Sequence, residues 1–274
     1  MAKALDEELN QWRNRLIEQS YPYLVVDARY EYVRDNGHVE SEGVLTVKGI
    51  NAQGYREIIG KDVAPGEEES TWSAVFTDLL DRGLDPRSVR LVVSDEHRGL
   101  KSALRRYFPG VLWQRCQTHY QRNAGSKVPR RARSQIHRQL RDVFDAPDQE
   151  QALKRANRLI EEWSGAYPDL SAWLEETIAD ALAVFSLPAS HRKRLRTTNG
   201  LERYHQEGRR RSRVIRIFPN RASCLRLATA LAMEQTEEWL TGHRYLDMQV
   251  LEDVPESNAA TTTFEVPVYD AALA

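Results

Sequence analysis

Apolar residues come in short runs over the first 115 or so positions and then at helical spacing over most of the remainder, so the chain carries two kinds of pattern. Leu9, Trp12, Leu16 and Ile17 predict an amphipathic helix over 5–19, stopped at Tyr21-Pro22. Residues 23–30, rich in β-branched and aromatic side chains, predict a strand, and 43–50 and 55–60 predict two more, joined by a turn at 51–54. These three form an antiparallel meander. A helix over 70–82 follows, with Ser70 as its N-cap and Gly83 just past its end. The run 89–94 predicts a buried strand, 99–107 a helix ended before Pro109, and 111–113 the start of another strand.

From about Pro129 to Pro188 the pattern is wholly helical, with Leu153, Ala156, Leu159 and Ile160 on one face. A last helical region runs from Asn199 to Thr241 and breaks near Pro219, while 251–274 have no period and predict a loosely held tail. The fold class is therefore α/β, a sheet followed by a helical block.

Composition narrows the classes little: 274 residues, 41% hydrophobic and 29% charged, describe an ordinary globular chain. No window approaches a membrane span, and the acidic N-terminus has no apolar core of a signal peptide, so a cytoplasmic location is expected. Two cysteines, Cys116 and Cys224, do not make a disulfide framework. The net charge of −1 hides a separation along the chain. Residues 121–141 hold seven Lys/Arg and no acid, and 191–226 hold twelve against Glu202 and Glu207. One basic run is usually a solvated face, but two acid-poor runs call for a polyanion.

Asp27 lies in the first strand and Asp95 at the end of the fourth. Each alone reads as a strand-end residue that caps a turn. Together on adjacent strand ends they would repel without a cation between them, which is the setting of a divalent-metal site. Glu202 has two readings. As the partner of Asn199 it completes a capping box; as a third carboxylate beside Arg203, Arg209, Arg210, Arg211 and Arg213 it holds metal against a phosphate backbone.

Five stretches carry a resemblance: Tyr-Pro-Tyr-Leu-Val-Val-Asp-Ala-Arg-Tyr (21–30), Arg-Gly-Leu-Asp (82–85), Val-Ser-Asp-Glu-His-Arg-Gly-Leu (93–100), Trp-Gln-Arg-Cys-Gln-Thr-His (113–119) and Thr-Thr-Asn-Gly-Leu-Glu-Arg (197–203). In this order they resemble the catalytic part of bacterial Mutator-type insertion-sequence transposases, over about residues 10–250. The resemblance implies an RNase H-like mixed sheet with flanking helices, and a large all-helical insertion before the last catalytic acid. The division it implies is an N-terminal helix (1–20), a first part of the core (21–128), the insertion (129–190), a helical completion bearing Glu202 (191–250) and the tail (251–274).

It further implies that Asp27, Asp95 and Glu202 are the metal-binding DDE acids, with two Mg²⁺ or Mn²⁺ ions for strand cleavage and strand transfer. DNA, both element ends and target, is the implied partner, in a homodimer or higher assembly associated with the nucleoid. Arg122, Arg192, Arg194, Arg203, Arg209, Arg210, Arg211 and Arg213 are the expected backbone contacts, which makes DNA binding strongly salt-dependent. Cys116 and His119 fall on the family's Cys-x-x-His motif. They read as half a zinc site or, the preferred reading, as a core cysteine with a structural or DNA-contacting histidine. His97 reads as an exposed loop residue.

Two departures bear on the reading. Glu96 follows the second Asp where the family often has Gly, and either faces solvent or disturbs the metal. The long DNA-binding region that precedes the first Asp in full-length relatives is not present, so a truncated chain is expected. The rival readings are an RNase H-like nuclease without strand transfer and a silent DNA-binding remnant.

Overall fold

A computed structural model describes residues 2–251, the side chains of 2–5 excepted. Its sheet begins with a long hairpin: β1 (Tyr23–Asp35) and β2 (His38–Ile50) pair antiparallel along their whole length. The connection is the dipeptide Asn36-Gly37 with φ of 46° and 86°, the left-handed pair that a tight hairpin needs. The pattern predicted only 23–30 and 43–50, because the distal ends are mostly polar and lack the alternation of a half-buried strand. β3 (Arg56–Ala64) pairs antiparallel with β2, which completes the expected meander. β4 (Leu91–Ser94) joins β1 in parallel, and β5 (Leu112–Arg115) joins β4 in parallel, giving the order β3-β2-β1-β4-β5.

The helices are α1 (Ala2–Arg13), α2 (Glu69–Asp81), α3 (Arg98–Tyr107), α4 (Gln117–Ser126), α5 (Arg130–Phe144), α6 (Gln149–Ser164), α7 (Pro168–Thr177), α8 (Ala189–Leu195), α9 (Asn199–Ser212) and α10 (Arg221–Thr241). α1 stops well short of the predicted 19. Past it the Arg82 guanidinium donates to the Arg15 carbonyl at 3.1 Å and Ile17 N donates to Arg82 O at 2.7 Å, so this segment docks on the end of α2 and leaves Leu16 exposed. The N-cap of α2 is Glu68 rather than Ser70. Of the expected tail, Leu251 ends a short 3₁₀ turn and is buried; 252–274 lie outside the described residues.

Strand alternation sorts the sheet into two faces. Leu24, Val26, Leu45, Val47 and Ile59 pack against Trp72, Phe76, Leu79, Leu100 and Leu104 of α2 and α3. On the other face Tyr23, Val25, Ile50, Ile58, Leu91 and Val93 share one continuous core with α4 to α9 and the end of α10, through residues such as Tyr120, Ile136, Leu159, Leu174, Leu201 and Trp239. Buried Gln114 of β5 ties the helical block down: its amide nitrogen donates to Ala181 O at 2.8 Å and its oxygen accepts from Val184 N at 2.7 Å. A third cluster, Val33, Val44, Val63, Phe218, Cys224 and Ala228, closes the far end of the same face.

A core shared this way makes sheet and helical block unfold together. Ile136→Ala on α5, fully buried in that core, should remove about 2–5 kcal/mol. Urea denaturation followed by far-ultraviolet dichroism and by tryptophan fluorescence should give one coincident transition at lower midpoint. Two transitions, with only one of them moved, would separate the block from the sheet.

Candidate functional site

Between the two apolar clusters of the helical face runs a row of polar side chains. The register aligns Asp27 of β1, Thr46 of β2 and Lys61 of β3 across three neighbouring strands. Thr46 and Lys61 are buried and Asp27 is nearly so, and α9 covers them. His205 on α9 completes the row: its Nδ1 lies 3.1 Å from Asp27 Oδ2, its Nε2 lies 3.1 Å from Thr46 Oγ1, and Lys61 Nζ donates to Thr46 Oγ1 at 2.6 Å. Burial lowers the His205 pKa to about 4 against the opposing pull of Asp27, so the ring is neutral. A neutral ring facing a carboxylate donates from Nδ1, which leaves Nε2 to accept from the Thr46 hydroxyl. The chain Lys61 to Thr46 to His205 to Asp27 therefore has a single direction and fixes one oxygen of Asp27.

Asp95 follows β4 directly. The parallel register pairs Val25 with Val93, so Asp27 and Asp95 each lie two residues beyond the last paired position. Its Oδ1 accepts from Glu96 N at 2.7 Å. Glu96 turns the other way and forms an ion pair with Arg115, which is fully buried and stacked over Tyr120 and Trp173. The extra carboxylate is thus exposed to solvent, as one of the two expectations had it, and supplies the counter-charge for a buried guanidinium.

Glu202 arrives from the opposite direction. The start of α9 is fastened to the start of α4: Gln117 N donates to Arg196 O at 3.0 Å, and Thr118 Oγ1 donates to Asn199 Oδ1 at 3.1 Å. Asn199 therefore spends its side chain on α4, and Thr198 takes the cap position, its hydroxyl 3.3 Å from Glu202 Oε1. The Asn199–Glu202 capping box is not formed, because the tertiary partner competes for the asparagine.

His119 on α4 stands between two acids, with Nδ1 3.8 Å from Asp95 Oδ2 and Nε2 3.6 Å from Glu202 Oε1. Cys116, at the N-cap of α4 and fully buried, accepts from Thr198 N and Oγ1, each at 3.3 Å. Cys116, His119 and Glu202 offer ligand atoms within 4.8 Å of one another. The hydrogen bond with Cys116 raises the His119 pKa to about 9, with Asp95 and Glu202 adding to the rise and burial opposing it. Burial alone would raise the Cys116 thiol, but the hydrogen bonds with His119 and Thr198 outweigh it and leave the thiol below its usual value.

Other residues at the site were not found by pattern. Glu67, in the loop before α2, has its pKa raised by burial first and by Asp27 and Asp95 next, against a hydrogen bond from Tyr30 and the charge of His97. Lys48 of β2 is wholly buried, and burial, then Arg56 and Arg203, bring it down to about 7. His205 did carry a sequence signal, the Glu-x-x-His spacing that sets it one helical turn beyond Glu202. His97 is half-buried at the N-cap of α3 rather than an exposed loop residue.

Comparison with known proteins settles the family, since residues 1–242 match the profile described as Transposase, Mutator family. The chain belongs to that family. Among curated relatives this Mutator-family chain is 47% identical over 247 residues to the transposase for insertion sequence element IS406 of Burkholderia multivorans. It is 43% identical over 251 residues to that for ISRM5 of Rhizobium meliloti, and 38% over 247 residues to that for IS256 in transposon Tn4001 of Staphylococcus aureus. These alignments cover 90%, 92% and 89% of the chain and 63% of each relative, so the chain spans a little under two thirds of their length. No helix among the described residues is long and apolar enough to cross a membrane.

The arginines of this transposase-family chain fall into two groups. Arg122, Arg194, Arg203, Arg209 and Arg213 are exposed and form no ion pair among the described residues. Arg192 is held by the carbonyls of Leu187 and Pro147, both at 2.9 Å, while Arg210 pairs with Glu207 and Arg211 with Glu207 and Glu234.

The lowered His205 pKa carries a stability signature. The unfolded chain binds a proton at His205 below 6.5 and the folded chain resists it down to about 4, so this group costs stability as pH falls across that window. The urea midpoint of the parent should therefore fall more steeply between these pH values than that of His205→Asn. Parallel curves would mean that His205 is not held neutral in the folded state.

Proposed function

We propose that this chain is the catalytic part of a DDE transposase, cutting and joining DNA for an insertion sequence, with Asp27, Asp95 and Glu202 as its three acids on an RNase H-like core. The observation that carries the reading is that His119 on α4 stands between Asp95 and Glu202 while His205, one turn beyond Glu202 on α9, holds Asp27. In support of the core assignment stand the order β3-β2-β1-β4-β5, with three antiparallel strands followed by two parallel ones, and the helical block between Asp95 and Glu202, read as an insertion. Relatives at up to 47% identity are named as transposases, which favours strand transfer over cleavage alone.

The donor set fits a hard divalent cation. It is all oxygen, and among the described residues no protein hydrogen bond occupies Asp27 Oδ1 or Glu202 Oε2, while Asp95 Oδ2 has only His119 near it at 3.8 Å. Mg²⁺ or Mn²⁺, bound as a pair, would supply activation of a water or 3′-hydroxyl and stabilisation of the leaving 3′-oxygen. The chain's own residues then do the rest. His205 holds Asp27 with one oxygen facing the site, and Thr198 steadies Glu202. His119, protonated, balances Asp95 and Glu202 before metal arrives and is the nearest group to exchange a proton with a reacting oxygen. Exposed arginines of the basic segments hold the phosphate backbone, and a second copy of the chain would present the second element end.

The test is cleavage and strand transfer on pre-nicked linear DNA with Mg²⁺ or Mn²⁺. Asp27→Asn, Asp95→Asn and Glu202→Gln should each reduce both steps at least about 100-fold, as expected when several kcal/mol of charge stabilisation are lost. Cleavage without joining would move the reading to a nuclease. An inactive parent that still binds DNA would make the chain a binding remnant.

A further inference from the structure

On the same face as Lys48, beside the start of α9, lies a pocket of about 410 Å³ whose walls include Arg56, Arg194, Arg203 and Arg244, with Trp239 and Tyr245 as its apolar surfaces. Its construction begins at the β2–β3 turn. Gly54 has φ +85°, and its carbonyl accepts from Tyr245 N at 2.8 Å and Leu246 N at 3.2 Å; a Cβ there would lie 2.0 Å from Leu246 O, so only glycine lets the segment after α10 dock on this turn. Docking brings the Tyr245 ring between strand and helix, where its hydroxyl donates to Arg194 O at 3.2 Å. Arg56 of β3 then stacks over Tyr245 at 4.5 Å and Trp239 at 4.8 Å, Arg194 over Tyr245 at 5.1 Å, and Lys48 lies 5.7 Å from the same ring.

Three cations around one phenol ring repel each other and need a counter-charge. Among the described residues none of Arg56, Arg194, Arg203, Arg244 or Lys48 forms an ion pair. The one acid lining the pocket, Glu238, accepts from Gln235 at 2.8 Å. Arg56 Nε is buried with no hydrogen-bond partner. Burial and the neighbouring arginines also hold Arg56 and Lys48 below their ordinary pKa values, the state that an arriving anion would relieve.

We propose that this pocket binds a phosphodiester of the DNA strand whose reacting phosphate lies at Asp27, Asp95 and Glu202, which makes Arg56, Arg194, Arg203 and Arg244 a clamp that sets the strand's register. The proposal rests on the reading of those acids as the reaction centre. Planar guanidiniums pre-ordered on aromatic rings suit phosphate, and Gly200 and Arg203 on α9 place the clamp directly beside Glu202. A strand rather than a small anion is the expected occupant because the pocket is open and adjoins the acids that would cut it.

The experiment is a fluorescence-anisotropy titration of the chain with a labelled single-stranded oligonucleotide in EDTA, over a range of salt. The exposed pair Arg203→Gln with Arg244→Gln is compared with Arg105→Gln with Arg106→Gln on α3, across the sheet. The pocket double variant should bind more weakly and lower the slope of log affinity against log salt by about 0.7, the contribution of one single-strand phosphate; the α3 double variant should keep the parent slope. Equal slopes for both double variants would overturn the clamp. So would displacement of the oligonucleotide by millimolar inorganic phosphate at constant ionic strength, which would make the pocket a small-anion site. Binding is read without metal, so a chain that shows the clamp yet cuts no DNA with any metal would overturn the reaction centre and leave the clamp standing.

Discussion

The structure depends on how a carboxylate is held on the covered face of a sheet. Asp27 is nearly buried, and an unpaired buried charge costs several kcal/mol unless other groups answer it. Here the answer comes from three elements at once. His205 donates from α9, Thr46 orders His205 from β2, and Lys61 orders Thr46 from β3. Each link fixes the direction of the next, so removing any of them strands a buried donor or acceptor at about 1–3 kcal/mol. α9 is therefore bound to the sheet by polar as well as apolar contacts, and it is also the helix that carries Glu202.

The second tie lies at the junction of α4 and α9. Helix starts usually satisfy their own amides, but Thr198 and Asn199 turn their side chains toward Cys116, Glu202 and Thr118, and the Arg196 carbonyl caps α4 from outside. Two helices remote in sequence thereby share one terminus, which sets His119 between Asp95 and Glu202. Arg115 performs a similar service one residue earlier. By holding Glu96, it keeps a third carboxylate from crowding Asp95.

Electrostatics divides this face cleanly. Acids lie within β1 and just past β4, and unpaired arginines collect around Tyr245, with Lys48 under Gly200. Such a division is unfavourable within an isolated chain, because like charges lie together on both sides. Under the proposed function it becomes favourable when cations enter one side and a phosphate backbone the other.

The sequence by itself determined the antiparallel meander, the helical block and the basic segments, because each follows from local periodicity and charge. Through the family resemblance of its short motifs it also named Asp27, Asp95, Glu202, Cys116 and His119 as candidates. Only the tertiary structure decided which groups meet them. The pairing of Val47 with Gly60 and of Lys48 with Ile58 leaves Ile59 unopposed, and this bulge turns Lys61 onto the face of Ile58 and so toward Thr46. Nothing in the alternation of β3 announces that turn. Likewise Asn199 read as a cap until α4 offered Thr118, and the Tyr245 segment docks only because Gly54 makes room for it. Periodicity records what each residue does within its own element, whereas a bulge, a borrowed cap and a docked loop depend on partners that are distant in sequence and only the fold brings near.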